Sequence, residues 1–109
     1  MTPKRGEVWW VRLDLPEGSE IAKTRACVVV SDDVVNEIRR TVVVIPLSTS
    51  PQAHPPLMVQ VNFRGGLPVA VVDRIRAVSK GRIDKRMGVL APGDLKRVEE
   101  AMLEILGFA

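Results

Sequence analysis

The sequence has 109 residues, of which 46% are hydrophobic and 27% are charged, and its formal net charge is +3. This length allows one domain with a single core over residues 1–109, and the apolar content excludes a disordered chain. No apolar stretch approaches the ~20 residues that cross a bilayer, and none follows the charged N-terminus as in a secretion signal, so we expect a cytoplasmic protein.

Apolar and β-branched segments predict strands in the first two thirds of the chain, over residues 7–15, 25–31, 41–47 and 57–62. Pro46 lacks an amide hydrogen, so we expect the third strand to end or to reach a sheet edge there. Apolar residues at helical spacing indicate a short helix or a turn over residues 32–40, with Ser31 as the expected cap. The single cysteine, Cys27, lies in an apolar run and is interpreted as a buried thiol.

The last third of the chain predicts a strand over residues 69–78, a charged connection over 80–86 and a final short strand over 87–90. A helix over residues 92–106 follows, because four apolar residues recur on one face: Leu95, Val98, Met102 and Ile105. Pro92 suits its first turn and Gly107 its end. The order of elements predicts a mainly β fold with helices, a small barrel or bent sheet covered by a C-terminal amphipathic helix.

Positive charge is concentrated in one segment, which is opposed only by Asp84. The segment contains Arg74, Arg76, Lys80, Arg82, Lys85 and Arg86. Such a concentration is expected where a polyanion binds, and it is equally compatible with a solvated strand-and-loop face.

The residue inventory excludes several chemistries. The sequence has one histidine, one cysteine and no carboxylates at ligand spacing, so we expect neither a metal site nor a cofactor. A Ser-His-Asp hydrolase would have to use His54, which lies in a proline-rich loop, where we expect it to be exposed or to contact a partner. A ribonuclease that uses two histidines is excluded.

Arginine and hydroxyl groups remain, and together they suit a phosphodiester. The planar guanidinium binds phosphate oxygens in a fork, and a hydroxyl adds one more donor. Such groups occur just before the second predicted strand and just after the third, namely Lys23, Thr24, Arg25, Ser48, Thr49 and Ser50. Neighbouring strands would bring the two groups together, although their spacing alone does not establish it.

Five segments together resemble the MazF/PemK-type toxins of bacterial type II toxin–antitoxin systems. They are KRGEVWWVRLD (4–14), GSEIAKTRACVVVS (18–31), TVVVIPLSTS (41–50), VVDRIRAVSKGRI (71–83) and a helix ending in LGF (106–108). The resemblance implies an SH3-like barrel of the CcdB–PemK type, a homodimer and sequence-selective cleavage of single-stranded RNA such as mRNA without metal. It also implies inhibition by a cognate antitoxin.

The same resemblance implies which residues form the site. Arg25 matches the catalytic arginine, and Ser48 matches a catalytic hydroxyl that is usually threonine, a role that Thr49 could take instead. The chain departs from the family pattern at Ala26, where proline is usual, and at Arg74, where glutamine is frequent. The residues expected to bind RNA are Lys23, Thr24, Ser50, His54, Arg74, Arg76, Lys80 and Arg82.

In the expected mechanism, the 2′-hydroxyl attacks the neighbouring phosphorus and leaves a 2′,3′-cyclic phosphate and a 5′-hydroxyl. Arg25 stabilises the developing charge rather than acting as the base, because arginine almost never deprotonates. Glu20 is a candidate base or orienting group, and the alternative is a surface carboxylate paired with Arg25 or Lys23. Two other functions stay open: a CcdB-like toxin that poisons a protein such as gyrase, and a non-catalytic RNA-binding barrel.

Overall fold

A computed structural model describes residues 2–13, 23–49 and 52–109. The strands within them are β1 (Glu7–Leu13), β2 (Lys23–Val29), β3 (Thr41–Ser48), β4 (Met58–Gln60), β5 (Val69–Val71), β6 (Arg76–Ser79) and β7 (Ile83–Val89). The helices are α1 (Asp33–Ile38) and α2 (Pro92–Ile105), and two 3₁₀ turns span Val72–Arg74 and Lys80–Arg82. No helix in this part of the chain is long and apolar enough to cross a membrane.

The strands form one antiparallel sheet in the order β4-β5-β3-β2-β1-β7, and β6 also pairs with β3. β3 is central: it pairs with β2 on one side, and on the other side with β6 and then β5. The prediction that β3 ends or reaches an edge at Pro46 is wrong. Pro46 is buried inside the sheet and pairs with Cys27 of β2. On the other side of β3, the partner strand changes from β6 to β5 at this point, so Pro46 has no ladder partner there among the described residues.

Alternation along the strands separates two cores. The residues of the barrel interior are Trp9, Val11, Cys27, Val29, Val42, Val44 and Val78, with Leu13 and Ile83 packed against them. Val78 and Ile83 come from opposite edges of the β6-β3-β2-β1-β7 sheet, so their common cluster shows that this sheet curls into a barrel. The outer cluster contains Val28, Ile45 and Leu47, and α2 and the β4–β5 hairpin cover it.

Helix α2 forms as predicted. Val98 and Ala101 are buried, and Leu95, Met102 and Ile105 pack against the outer cluster. Gly107 ends the helix with φ +81°, a conformation that glycine adopts without steric cost. The following amide, of Phe108, donates to the carbonyl of Leu103 at 2.7 Å, which completes a Schellman motif.

Helix α1 lies within the predicted range, but its cap and its buried face differ. Asp32, not Ser31, is the cap, since its carboxylate accepts from the amide of Val34 at 3.0 Å. The Ser31 hydroxyl instead donates to Asn36 and accepts from the amide of Val43 at 2.9 Å. Asn36 is the buried residue of this helix, whereas Val34 and Ile38 are 67% and 75% exposed. A six-residue helix held by a polar network does not need to bury its apolar face.

The strand predicted over residues 69–78 is two strands, β5 and β6, separated by the 3₁₀ turn Val72–Arg74. Because of this break, the two strands pair with different ends of β3: β5 pairs with its last residues, up to Ser48, and β6 pairs with its first residues, from Thr41. The charged connection predicted over residues 80–86 is also wrong in part. β7 already begins at Ile83 and pairs with β1, so its charged residues are strand residues on a sheet edge.

Candidate active site

Arg25 and Ser48 occupy opposing positions on neighbouring strands. The antiparallel ladder between β2 and β3 pairs Val29 with Val44 and Cys27 with Pro46. Two residues further along the same register, Arg25 lies opposite Ser48, just beyond the last ladder pair. On its other side Arg25 pairs with Val11 of β1, and Ser48 pairs with Val69 of β5.

Both side chains lie on the face of the sheet that forms the barrel interior. Arg25 follows the alternation of Cys27 and Val29, and Ser48 follows that of Val44. A third polar residue, Arg76, lies opposite Val44 on β6 and therefore shares this face. Arg25, Ser48 and Arg76 are all half-buried, so they mark the end of the apolar interior, a region we call the barrel mouth.

Cys27 lies beneath the barrel mouth and is fully buried, which confirms the prediction of a core thiol. Burial raises the pKa of the Cys27 thiol to about 12, although the positive charges of Arg25 and Arg76 act in the opposite direction. The thiol is therefore protonated at neutral pH and is not a nucleophile. The influence of both arginines on one thiol also places two positive charges at the same end of the barrel.

The other residues predicted beside Arg25 and Ser48 are distributed differently. Thr24 pairs with Arg12 and by alternation lies on the outer face of β2, while Thr49 is exposed directly after β3. The backbone of Lys23 pairs with Leu13 at the start of β2. Glu20 and Ser50 lie outside the described residues.

The structure does not gather the remaining RNA-binding candidates at the mouth. His54 is exposed, and its backbone forms a reciprocal pair with Met58, with N···O distances of 2.8 and 3.0 Å. Arg74 is exposed in the 3₁₀ turn after β5. The amide of Lys80 donates to the carbonyl of Arg40 at 2.9 Å, next to the opposite end of β3 from Ser48.

Arg82 ends the second 3₁₀ turn, which lies against β1. The guanidinium of Arg12 donates to the carbonyl of Gly81 in that turn at 3.2 Å. The basic segment from Arg74 to Arg86 therefore runs around the barrel and does not form one compact patch.

The barrel mouth thus combines two guanidinium groups with a hydroxyl. Guanidinium groups stabilise negative charge on phosphate oxygens, and a hydroxyl donates one further hydrogen bond. Among the described residues, no three histidine, cysteine, aspartate or glutamate side chains come together as metal ligands. The chemistry that this arrangement supports is stabilisation of charge on a phosphoryl group.

A second surface feature was not predicted. On the outer face, a depression of about 380 Å³ is lined by Trp10, Arg64, Asp84, Lys85 and Met87, and we call it the outer groove. No local sequence pattern indicates this groove, because its residues come from three segments far apart in the chain. Alternation along β1 predicts that one of Trp9 and Trp10 is a core residue and that the other is exposed, where it would pack in a dimer or stack on a base. Trp10 is 37% exposed whereas Trp9 is 6% exposed, which confirms that the two indoles differ in burial.

Comparison with known proteins gives a consistent result. A family model described as PemK-like, MazF-like toxin of type II toxin–antitoxin system matches residues 4–106. Endoribonuclease MazF9 from Mycobacterium tuberculosis is 31% identical over 108 residues, which cover 91% of this chain and 92% of the relative.

Solved structures agree with the fold. An endoribonuclease in complex with its cognate antitoxin from Mycobacterial species has a TM-score of 0.81 at 22% identity and covers 98% of this chain and 97% of that chain. MazF from Deinococcus radiodurans has a TM-score of 0.81 at 21% identity and covers 98% of both chains. The predicted fold class, a small β-rich barrel with a C-terminal helix, is confirmed.

Proposed function

The chain belongs to the PemK-like, MazF-like toxins of type II toxin–antitoxin systems, and from this premise we propose that it cleaves single-stranded RNA at selected sequences without a metal ion. Its class of activity is that of an endoribonuclease toxin. The observation that carries the proposal is the opposition of Arg25 and Ser48 at the mouth of the barrel. A barrel that only poisoned a protein target would not require a guanidinium and a hydroxyl at this position.

The reaction begins with attack of a ribose 2′-oxygen on the adjacent phosphorus. The 2′-hydroxyl gives up its proton to a base, and the bond from the 2′-oxygen to phosphorus forms. The bond from phosphorus to the 5′-oxygen breaks, and the departing 5′-oxygen takes up a proton. The products are a 2′,3′-cyclic phosphate and a 5′-hydroxyl. Negative charge increases on the non-bridging oxygens during this step, and preorganised donors at that position lower the barrier.

Each residue of the mouth has a role in this proposal. Arg25 binds the non-bridging oxygens and stabilises their charge, since a guanidinium stays protonated. The Ser48 hydroxyl donates to one of those oxygens or orients the 2′-hydroxyl. Thr49 is the alternative hydroxyl, and Glu20 is the candidate base.

RNA binding extends over the basic segment and the loop after β3. We assign it to Lys23, Thr24, Ser50, His54, Arg74, Arg76, Lys80 and Arg82. Arg76 lies close to the proposed chemistry, because it shares the interior face with Arg25. These residues are distributed around the barrel, and positively charged residues bind the backbone of single-stranded RNA without reading its sequence.

The toxin family also determines the proposed partners. One relative is an endoribonuclease that was solved in complex with its cognate antitoxin, and we propose that this chain likewise binds an antitoxin. We further propose that it acts in the cytoplasm, as a homodimer of single-domain subunits.

The test is incubation of the purified protein with a defined single-stranded RNA in EDTA. We expect cleavage with cyclic-phosphate and 5′-hydroxyl ends, and we expect Arg25→Ala to lose roughly a hundredfold or more in rate. Lys96→Ala is the control, because it removes an exposed positive charge on helix α2, which carries none of the proposed RNA-binding residues. RNA binding without cleavage would indicate a non-catalytic barrel, and an absence of both would favour a toxin with a protein target.

A further inference from the structure

The outer groove lies on the face of the sheet opposite to the barrel mouth, and it begins one residue pair away from it. Trp10 pairs with Ala26 on β2, and Ala26 directly follows Arg25. On the other side Trp10 pairs with Lys85 of β7. The exposed indole of Trp10 therefore lies next to Lys85 on the neighbouring strand, at the same end of the barrel as Arg25.

Two β-bulges in β7 shape one wall of the groove. The register pairs Val8 with Gly88 but Trp9 with Arg86, and then Trp10 with Lys85 but Val11 with Ile83. Met87 and Asp84 are therefore the extra residues of the two bulges. Bulges redirect side chains that would otherwise alternate, and here Asp84, Lys85 and Met87 all line the groove.

The opposite wall is the turn from Phe63 to Gly66. Phe63 and Gly66 exchange two backbone hydrogen bonds of 3.1 and 3.0 Å, and the two central residues have positive φ angles, +52° at Arg64 and +77° at Gly65. A Cβ disfavours the backbone conformation of Arg64, and asparagine is the usual residue there because its short side chain forms local hydrogen bonds that offset this cost. An arginine at a strained position indicates that its side chain has a use there.

Contacts of Phe63 hold this wall in place. A Cβ on Gly88 would lie 3.1 Å from the edge of the Phe63 ring, so the ring packs directly on the β7 backbone. The Arg64 guanidinium carbon lies 5.9 Å from the centre of the same ring, within the range of a cation–π contact. The exposed guanidinium of Arg64 therefore lies beside the groove.

We propose that the outer groove is a second binding site for single-stranded RNA, in which a base stacks on Trp10 while Arg64 and Lys85 bind the adjacent phosphates. An exposed aromatic ring between cations is the arrangement that binds single strands with little sequence preference. The inference rests on the proposed function, because it takes RNA as the partner. RNA that is cleaved at the barrel mouth would continue around the edge of the sheet into this groove.

The direct test measures binding of 2′-O-methyl oligo(A), which lacks the attacking hydroxyl and is not cleaved, at a length of about 12 nucleotides, within the range of single-strand sites. We expect Trp10→Ala to weaken binding about tenfold and to leave binding of an abasic chain of the same length unchanged. Phe108→Ala is the matched control, because Phe108 is an exposed aromatic residue outside the groove.

Two further variants remain informative if Trp10→Ala does not fold. Arg64→Asn removes the guanidinium and retains a residue that suits the turn. Lys85→Gln removes the second cation. We expect each to weaken binding of both oligo(A) and the abasic chain, and to reduce the slope of log affinity against log salt by about 0.7 to 0.9.

Cleavage measurements separate this inference from the proposed function. We expect the groove variants to raise KM for long RNA and to leave kcat unchanged. Wild-type protein that cleaves no RNA would contradict the proposed function. Cleaving protein whose oligo(A) binding is insensitive to Trp10, Arg64 and Lys85 would overturn only the groove. Trp10-dependent binding of an acidic peptide instead of oligo(A) would make the groove a protein interface and would also overturn the inference.

Discussion

The barrel mouth and the outer groove lie at the same end of one sheet, on opposite faces, and they are built in different ways. The mouth arises from regular structure, since the unbroken β2–β3 register brings Arg25 opposite Ser48. The groove arises from departures from regular structure, namely two bulges in β7 and a turn with an arginine at positive φ.

This difference corresponds to a difference in chemical demand. Charge stabilisation requires donors held in a fixed geometry, and a continuous ladder between central strands provides it. Base stacking tolerates variation, because every base has a π-face, so a groove on an edge strand is sufficient. Variants in the two regions should therefore differ in which kinetic constant they change.

The largest effect within this comparison is expected for the hydroxyl of Ser48. Ser48→Ala should lower kcat by roughly a hundredfold, because it removes one donor to the developing charge. The loss should be the same for short and long RNA, since the mouth acts at the cleaved bond. Rate measurements at saturating RNA of two lengths test this prediction.

Ser48→Thr is the matched control, because it retains the hydroxyl that the toxin family usually supplies from threonine. We expect it to keep most of the activity. If Ser48→Ala keeps wild-type kcat while Thr49→Ala loses it, the catalytic hydroxyl is that of Thr49.

The contrast between the two regions also explains what the sequence could predict. Strand periodicity located β1 to β3 and α2, and the positions of Arg25 and Ser48 at strand ends followed from local pattern. The bulges at Asp84 and Met87 depend on pairing between distant segments, which no local pattern encodes. The same limit explains why the burial of Asn36 was not predicted. Its side-chain amide donates to the carbonyls of Pro3 and Ser31, and these hydrogen bonds stabilise a polar side chain in the interior.

A smaller effect is expected for Arg76, which belongs to the mouth but pairs with Val44, two residues further along β3 from Ser48 than Pro46. Arg76→Gln should weaken RNA binding about tenfold and reduce the salt slope by about one, as expected for one lost phosphate contact. It should lower kcat less than Arg25→Ala does. Lys96→Gln provides the same charge change on helix α2, which carries none of the proposed RNA-binding residues, and an equal loss in that variant would show that only net charge matters.

The smallest effect on cleavage concerns Glu7, which anchors β7 from the interior side. Its carboxylate accepts from Arg86 Nε at 2.8 Å, from the Lys4 amide at 2.7 Å and from the Trp9 indole at 3.0 Å. Partial burial alone would raise the pKa of Glu7, but these hydrogen bonds and the Arg86 charge outweigh it, and the pKa lies below its ordinary value. Ionised Glu7 therefore stabilises the folded protein fully at pH values above its ordinary, unfolded-state pKa. This stabilisation is lost as the pH falls through the lowered pKa of the folded state.

Arg86 lies between the two bulge residues of β7, so the loss of its partner should loosen β7 and the groove before it affects the mouth. We expect Glu7→Gln to lower the free energy of unfolding by about 1 kcal/mol at pH 7, with a difference from wild type that shrinks as the pH falls through the lowered pKa of Glu7. Amide hydrogen exchange should rise along Ile83–Val89 and stay unchanged at the Cys27 amide in β2. Cleavage of short RNA should change less than twofold, since β2 and β3 hold Arg25 and Ser48 independently of β7. Faster exchange in both regions would mean that the barrel opens as one unit and that the two sites are not mechanically separate.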